Sequence, residues 1–381
     1  MGLASKVYAE QLGARGYGIP LWRPEPSSYG EVCIGDVGFV EDGAWFRLFN
    51  VTKPQSDPLN SNGVPPNFEL LQSNSRLINR SDNFLDPGVL CSSSMSQMSL
   101  GADASGEMIP IDLACRYTCS RNEGALLVLK DHATSEAVFA NAQFVEYMLR
   151  HHQSWCDFAR NQGFLLDKED IILVRGWVKT TSWTVAAFTN QGDSLELTFG
   201  SKANLYAHVS VSTAVSTHHS HSVEYRDGPN RMTKTMDEEP SPQRKDQCVF
   251  LRYYKIKYRT PAFLGRKITA RVKPKDNRDI AHGTVSSASE SQYKTRGRRQ
   301  TYTSSPNPVD DILDYLLDNS SAQMAISSDE DLNRLSTTLS PTSHGLSTTL
   351  RELAPKVVLL GDAASLGEPV DDANDKQFGT D

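Results

Sequence analysis

No run in this 381-residue chain approaches the ~18 consecutive apolar positions of a membrane-spanning helix. Met1–Val7 leads into no long apolar stretch, so a secretory signal is not expected either. The start also misses the N-myristoylation pattern, because Lys6 stands where a Ser or Thr belongs. Six cysteines (Cys33, Cys91, Cys115, Cys119, Cys156, Cys248) are too few for a disulfide scaffold in so long a chain. Reduced, mostly buried thiols of a cytoplasmic or nuclear protein are expected. Phosphate cradles are missing as well. Gly13-Ala14-Arg15-Gly16-Tyr17-Gly18 has the wrong spacing for a dinucleotide fold, and no Gly-rich loop ends in Lys-Ser or Lys-Thr. There is no Gly-x-Ser-x-Gly elbow and no His-Glu-x-x-His. No catalytic residue, cofactor or metal is therefore assigned.

Two weaker features do not change this. Cys115 and Cys119 lack a second pair at zinc-module spacing, and His218, His219 and His221, although sufficient for weak metal binding, sit in a Ser/Thr-rich loop. His152 and Cys156 stand four apart, as an activated thiol would need, but their apolar neighbours Met148 and Trp155 make them a core pair.

Length allows two or at most three domains. Apolar content, about 41–42% once Gly is counted and Tyr is not, falls below the ~45–50% of globular chains, so part of the chain is expected to stay unfolded. Charge is segregated beneath a net −7. Residues 1–243 carry 19 basic against 28 acidic side chains, 244–303 carry 16 against 4, and 304–381 carry 4 against 14. A basic block followed by an acidic tail can bind an anionic partner, or the tail can fold back and screen the block.

Periodicity divides the chain into an N-terminal arm at 1–14, a β-rich domain at 15–272, a basic disordered linker at 273–306, a short acidic helical motif at 307–335 and a mostly disordered acidic tail at 336–381. Prolines at 20, 24 and 26 make the lead-in extended. Glu31–Val40 and Ala44–Val51 flank Glu41-Asp42-Gly43, a hairpin signature. Residues 52–110, dense in Ser, Asn, Pro and Asp, read as long surface loops, and 112–119 with 125–130 read as a second hairpin. One helix is predicted over 142–161, with Phe144, Val145, Met148, His152, Trp155 and Phe158 at spacings of three and four. Strands are predicted at 170–174, 183–188, 195–199 and 248–258, and 205–216 keeps a period of two for twelve residues. The fold class is thus α+β, a mainly antiparallel sheet with one covering helix.

The cleanest local signal lies further on. Asn307 is a helix cap, Pro308 fits the first helical position, Asp310 and Asp311 favour the positive helix end, and Val309, Ile312, Leu313, Leu316 and Leu317 make one apolar face. A helix this short needs something to dock on.

Gly18-Ile19-Pro20-Leu21-Trp22-Arg23-Pro24-Glu25-Pro26, Ile34-Gly35-Asp36-Val37-Gly38-Phe39, Arg47-Leu48-Phe49-Asn50-Val51, Gln247-Cys248-Val249-Phe250-Leu251-Arg252 and Asn307-Pro308-Val309-Asp310-Asp311-Ile312-Leu313-Asp314-Tyr315 together resemble an uncharacterised protein family of mushroom-forming fungi, over about residues 15–335. The resemblance implies a non-secreted protein and transfers no site.

Three functions follow as expectations. The first is a non-catalytic interaction protein, in which the face Val309/Ile312/Leu313/Leu316/Leu317 docks into a partner protein or onto its own sheet. In it, residues 244–303, with Arg266, Lys267, Arg271, Lys273, Lys275, Arg296, Arg298 and Arg299, attract anionic lipid or nucleic acid. The second is a membrane-associating or pore-forming protein, in which the alternating strand at 205–216 crosses a bilayer and the acidic tail screens the block. The third is an enzyme with a cleft among the loops at 52–110.

Overall fold

The computed structural model describes residues 2–72, 75–99, 113–139, 142–192, 194–199, 209–212, 222–229, 244–259, 307–338 and 346–367. The named basic residues from Arg266 to Arg299, and His218, His219 and His221, lie outside them, as do the ends of the 205–216 run.

The predicted arm is a helix, α1 (Leu3–Gly13), whose buried Ala4, Val7, Tyr8 and Leu12 join the core. After the two-residue strand β1 (Ile19–Pro20), β2 (Asp36–Glu41) and β3 (Ala44–Asn50) form the expected hairpin, with Asp42 and Gly43 both at positive φ. The loop expectation for 52–110 fails in its second half, which holds β4 (Ile78–Leu85), β5 (Gly88–Cys91) and β6 (Met95–Ser99). β4 is an edge strand with five exposed residues in its middle, so neither face imposes an apolar alternation on its sequence. Next come β7 (Leu113–Cys119), β8 (Gly124–Leu129), β9 (Ala133–Val138) and α2 (Ala142–Asn161). They are followed by β10 (Ile172–Thr180), β11 (Trp183–Phe188), β12 (Ser194–Phe199), β13 (Val209–Ser212), β14 (Val223–Gly228) and β15 (Gln247–Tyr258). Residues 307–367 add α3 (Pro308–Asp318), β16 (Met324–Ser328), α4 (Asp329–Thr338), α5 (Leu346–Leu353), β17 (Val357–Leu360) and β18 (Ala363–Leu366).

A single covering helix is therefore too few: five helices are described. The tail boundary also moves, because β16, β18 and β17 extend the main sheet beyond β15. Only five residues of β16 pair with β15, and two of those five are serines, which is why hydropathy alone does not mark the strand.

The pairing pattern matters most for function. β7 and β8 are consecutive but do not pair with each other. β7 pairs with β6 and β12, and β8 with β5 and β11. The expected hairpin around Arg121–Gly124 is thus a joint within one long arm. The same holds for β11 and β12. Three tiers result, each antiparallel: β4-β9-β10-β15, β5-β8-β11-β14 and β6-β7-β12-β13. Read along the chain, they are two neighbouring long hairpins. One runs from Ile78 out to Ser99 and back from Leu113 to Val138, the other from Ile172 out to Phe199 and back from Val209 to Tyr258.

Backbone bonds cross the joint between the second and third tiers: Ser92 N to Ala125 O at 2.9 Å, Ser120 N to Ser94 O at 2.8 Å, and Gly192 N to Cys119 O at 2.8 Å. At the joint the third tier turns back over the second, burying Tyr117 and Cys119 against Leu126, Val128, Ala186 and Phe188. In the first tier β9 and β10 approach closely at Gly176, where a Cβ would stand 2.5 Å from the Cβ of Ala137.

Helices cover both faces of the first tier. α2 lays Phe144, Met148, Trp155 and Phe158 against a cluster with Phe49, Leu173 and Tyr254, while α3 covers Ile172, Val174, Leu251 and Tyr253 on the opposite face. Burying one such aromatic or aliphatic side chain stabilises by ~1.5–3 kcal/mol before entropy is counted.

Candidate functional site

The predicted docking face is fully used within the chain. Val309, Ile312, Leu313, Leu316 and Leu317 are all buried, in one cluster with Leu251, Tyr253, Ala325, Leu332 and Leu350. The local start is as expected from sequence. Asn307 Oδ1 accepts from Val309 N at 3.1 Å and also from the Tyr253 hydroxyl at 2.5 Å, so the cap that begins α3 is itself anchored on β15. Leu313→Asp would put a carboxylate into this apolar cluster, and a buried unpaired charge is not tolerated. The expected outcome is opening of residues 307–367, read as faster proteolysis near residue 300 than in the wild type.

Charge does the rest. β15 carries basic residues along its last turn of sequence, and α3 presents acids to them. Lys255 Nζ lies 2.5 Å from Asp310 Oδ1, and Lys257 Nζ 2.7 Å from Asp314 Oδ1. Arg259 donates to the carbonyls of Leu317, Ser320 and Ala322, satisfying the end of α3, where its positive charge is also favoured. The basic residues at 252–259 are thus engaged by the acidic segment.

The tightest contact joins Arg175, to which the sequence assigns no role, to Asp329, where residues 328–332 read in the sequence only as the start of a helix turn. Asp329, the first residue of α4, is buried and accepts four hydrogen bonds. Arg175 gives it two, from Nε at 2.7 Å and Nη2 at 2.8 Å, Arg252 Nε gives one at 2.8 Å, and Tyr253 N one at 3.0 Å. Glu330 Oε2 adds a contact to Arg175 Nη2 at 2.7 Å, and Arg175 Nη1 donates to Val138 O at 2.9 Å. Burial by itself would raise the Asp329 carboxyl, but the guanidinium groups of Arg175 and Arg252 outweigh it and hold it below the ordinary aspartate range. The helix start contributes a second polar clamp, because Asp331 Oδ2 reaches back to Ser328 N at 2.8 Å and Ser327 Oγ at 2.9 Å. One signal in the sequence could have pointed here: Arg175 ends the apolar run Ile171–Val174, and a lone charge in a buried strand needs a partner.

The first tier, with β15 at one side, is therefore fastened to residues 307–367 by one apolar helix face, two lysine–aspartate pairs and a buried carboxylate between two arginines. A cavity of about 100 Å³ lies at this seam, lined in part by Val40, Glu41, Glu169, Lys255, Val309 and Leu332.

His152 and Cys156, four apart on α2, are both buried. His152 Nδ1 is 3.7 Å from Cys156 Sγ, yet burial pushes that thiol up to about 11, so it stays protonated at neutral pH. Among the described residues no group of three or more His, Cys, Asp or Glu side chains is placed to hold a metal ion. No helix of the described residues is long and apolar enough to cross a membrane, which leaves strands untouched as a means of crossing. No protein-family description matches the chain, and no curated protein matches it.

Proposed function

We propose that the chain is a membrane-active protein that inserts two neighbouring β-hairpins into a bilayer, and that residues 307–367 hold it closed. One observation carries this reading: the register of the third tier. It sets Leu113, Cys115, Tyr117 and Cys119 of β7 in one row with Leu195, Leu197 and Phe199 of β12 and Val209 and Val211 of β13. The alternate row holds Ala114, Arg116 and Thr118 with Ser194, Glu196 and Thr198, and Ser210 and Ser212. On β7, β12 and β13 one row is thus almost wholly apolar and the alternate row is small, polar or charged, the division that a strand needs between lipid and a watery lumen, while β6 interrupts it with Gln97 and Ser99 in the apolar row and Met98 in the alternate one. A sandwich with one solvated face would share the alternation. What favours insertion is that neighbouring strands of the two hairpins, β7 of one and β12 and β13 of the other, carry it in register side by side.

Reach is adequate. The sequence from Met95 to Cys119, and from Ser194 to Ser216, where the alternating run ends, is long enough to give each arm the ~9–11 residues of a bilayer-crossing strand. The basic residues Arg266, Lys267, Arg271, Lys273, Lys275, Arg296, Arg298 and Arg299 would supply attraction to an anionic leaflet, with affinity falling as salt rises.

The test is release of an encapsulated dye from phosphatidylserine-containing vesicles. The opened chain, Leu313→Asp, is expected to release dye faster than the wild type. Adding Val209→Asp and Val211→Asp is expected to abolish release while the protein still melts cooperatively and still floats with the vesicles. Release that survives the two aspartates, or no release from the opened chain at low salt, would remove the proposal.

A further inference from the structure

We infer that the outer edges of β4 and β15 are complementary surfaces for a second copy of this chain, and that β16 occupies one of them until residues 307–367 are released. The inference rests on the hairpin-insertion reading, and it names the partner: an identical protomer, joined edge to edge.

Strand direction makes the two edges fit. β4 is antiparallel to β9, β9 to β10 and β10 to β15, so β4 and β15 run in opposite directions across the two hairpins. If β4 of one copy lies beside β15 of another, the new pair is antiparallel, and the alternation continues through every further copy. An even number of strands permits this, whereas three or five would put a parallel pair at each junction. The contact is head-to-tail, with two different edges meeting, and such contacts close into rings when the rotation allows it.

The two edges differ in how they are guarded. Among the described residues no strand pairs with the outer side of β4, and Asn79–Asn83 are exposed there. Arg80 on this strand pairs with Asp82 and Glu136, and charge is a common guard on a free sheet edge. The β15 edge is covered instead. β1 pairs with Phe250 and Leu251, and β16 pairs with Tyr254–Tyr258. β16 runs antiparallel to β15, which is the direction an incoming β4 would take. Beyond it β18 and β17 continue the sheet into the space that a neighbour would fill. Closing a barrel also staggers neighbouring strands by a fixed shear, so the register of an incoming β4 on the β15 edge need not be that of β16.

A disulfide across β15 and β16 tests this. Lys257 and Ala325 are ladder partners, and partners in an antiparallel pair stand ~4.5–5.5 Å apart at Cα, within disulfide reach. Lys257→Cys with Ala325→Cys, in full-length Leu313→Asp protein, would be mixed with phosphatidylserine–phosphatidylcholine vesicles. Assembly is read by amine cross-linking and a denaturing gel, dye release is followed in parallel, and each single-cysteine variant serves as a control for the native thiols. The reduced protein is expected to give a ladder of oligomers and the oxidised protein to stay monomeric. Asn83→Pro, placed where β4 is out of register with β9, is expected to lose the ladder with an unchanged melting curve. Equal ladders in the oxidised and reduced protein, an undiminished ladder in Asn83→Pro, or no ladder in the reduced protein would overturn the inference. A ladder without dye release keeps the edge contact and overturns insertion. Release that persists in the locked protein keeps insertion and overturns the edge contact.

Discussion

Asp329→Ala is expected to lower stability by about 3–5 kcal/mol, the range found when one partner of a buried ion pair is removed. Two guanidinium groups depend on this carboxylate, and the Arg175 side chain is 1% exposed and cannot turn to water. Glu330 remains as a second anion for Arg175, but its side chain is 32% exposed, so it replaces only part of the loss. The measurement is the urea midpoint, with the slope of the transition checked for a change in the surface exposed. Pairing Asp329→Leu with Arg175→Met should recover most of the loss, because a buried ion pair is often replaceable by apolar groups of similar volume. The pH dependence has a definite sign. The folded state holds this carboxyl below its ordinary value, so its contribution is full above the unfolded aspartate value and is lost as pH falls through the lower folded one.

His152 gives the second large effect, in a different pH window. It lies wholly inside the protein between α2 and β15. Its Nδ1 is 3.0 Å from the Tyr258 hydroxyl and its Nε2 is 3.3 Å from Ile171 O. The carbonyl can only accept, so Nε2 carries the proton and Nδ1 accepts from Tyr258. A second proton would leave a cation in an apolar cluster, and burial lowers the imidazole from 6.5 to about 4. Stability from this residue is therefore full above pH 6.5 and is lost as pH falls toward about 4, a change of ~3 kcal/mol. Asp36, Glu169 and Asp170 work the other way, because burial raises their carboxyls and protonation relieves them. The diagnostic measurement is thus the difference between wild type and His152→Gln across pH 4–7. The wild type should lose stability relative to the variant on acidification, and parallel curves would show that His152 does not titrate as its surroundings require.

Legibility in the sequence followed the strength of each local signal. α2 and α3 appear where their apolar spacing puts them, and the Asp42-Gly43 turn joins the strands that flank it. α1 escaped because its buried positions, Ala4, Ser5, Val7, Tyr8, Leu12 and Gly13, include small and polar residues that do not stand out as an apolar stripe. β4 escaped because Asn79–Asn83 are exposed on both faces of the strand, so no apolar alternation marks it. The tiers were illegible for a deeper reason. A period of two identifies a strand but says nothing of its partner, so the segments 120–123 and 189–192 look like turns when they lie at joints. The candidate site divided in the same way. The apolar face of α3 could be read from residues three and four apart, whereas the Arg175–Asp329 contact joins residues 154 positions apart and is marked in the sequence only by a lone arginine.

That separation also sets an order of events during synthesis. Asp329 is the seventieth residue after Arg259, and at ~5–20 residues per second the ribosome needs about 4–14 seconds to reach it. Both hairpins and the full length of β15 therefore leave the ribosome before the strand and the carboxylate that fasten them exist. On polysomes, where many such nascent chains crowd one message, the Tyr254–Tyr258 part of the β15 edge is without its β16 partner during that interval, and the newborn chain meets its neighbours before it meets its own latch.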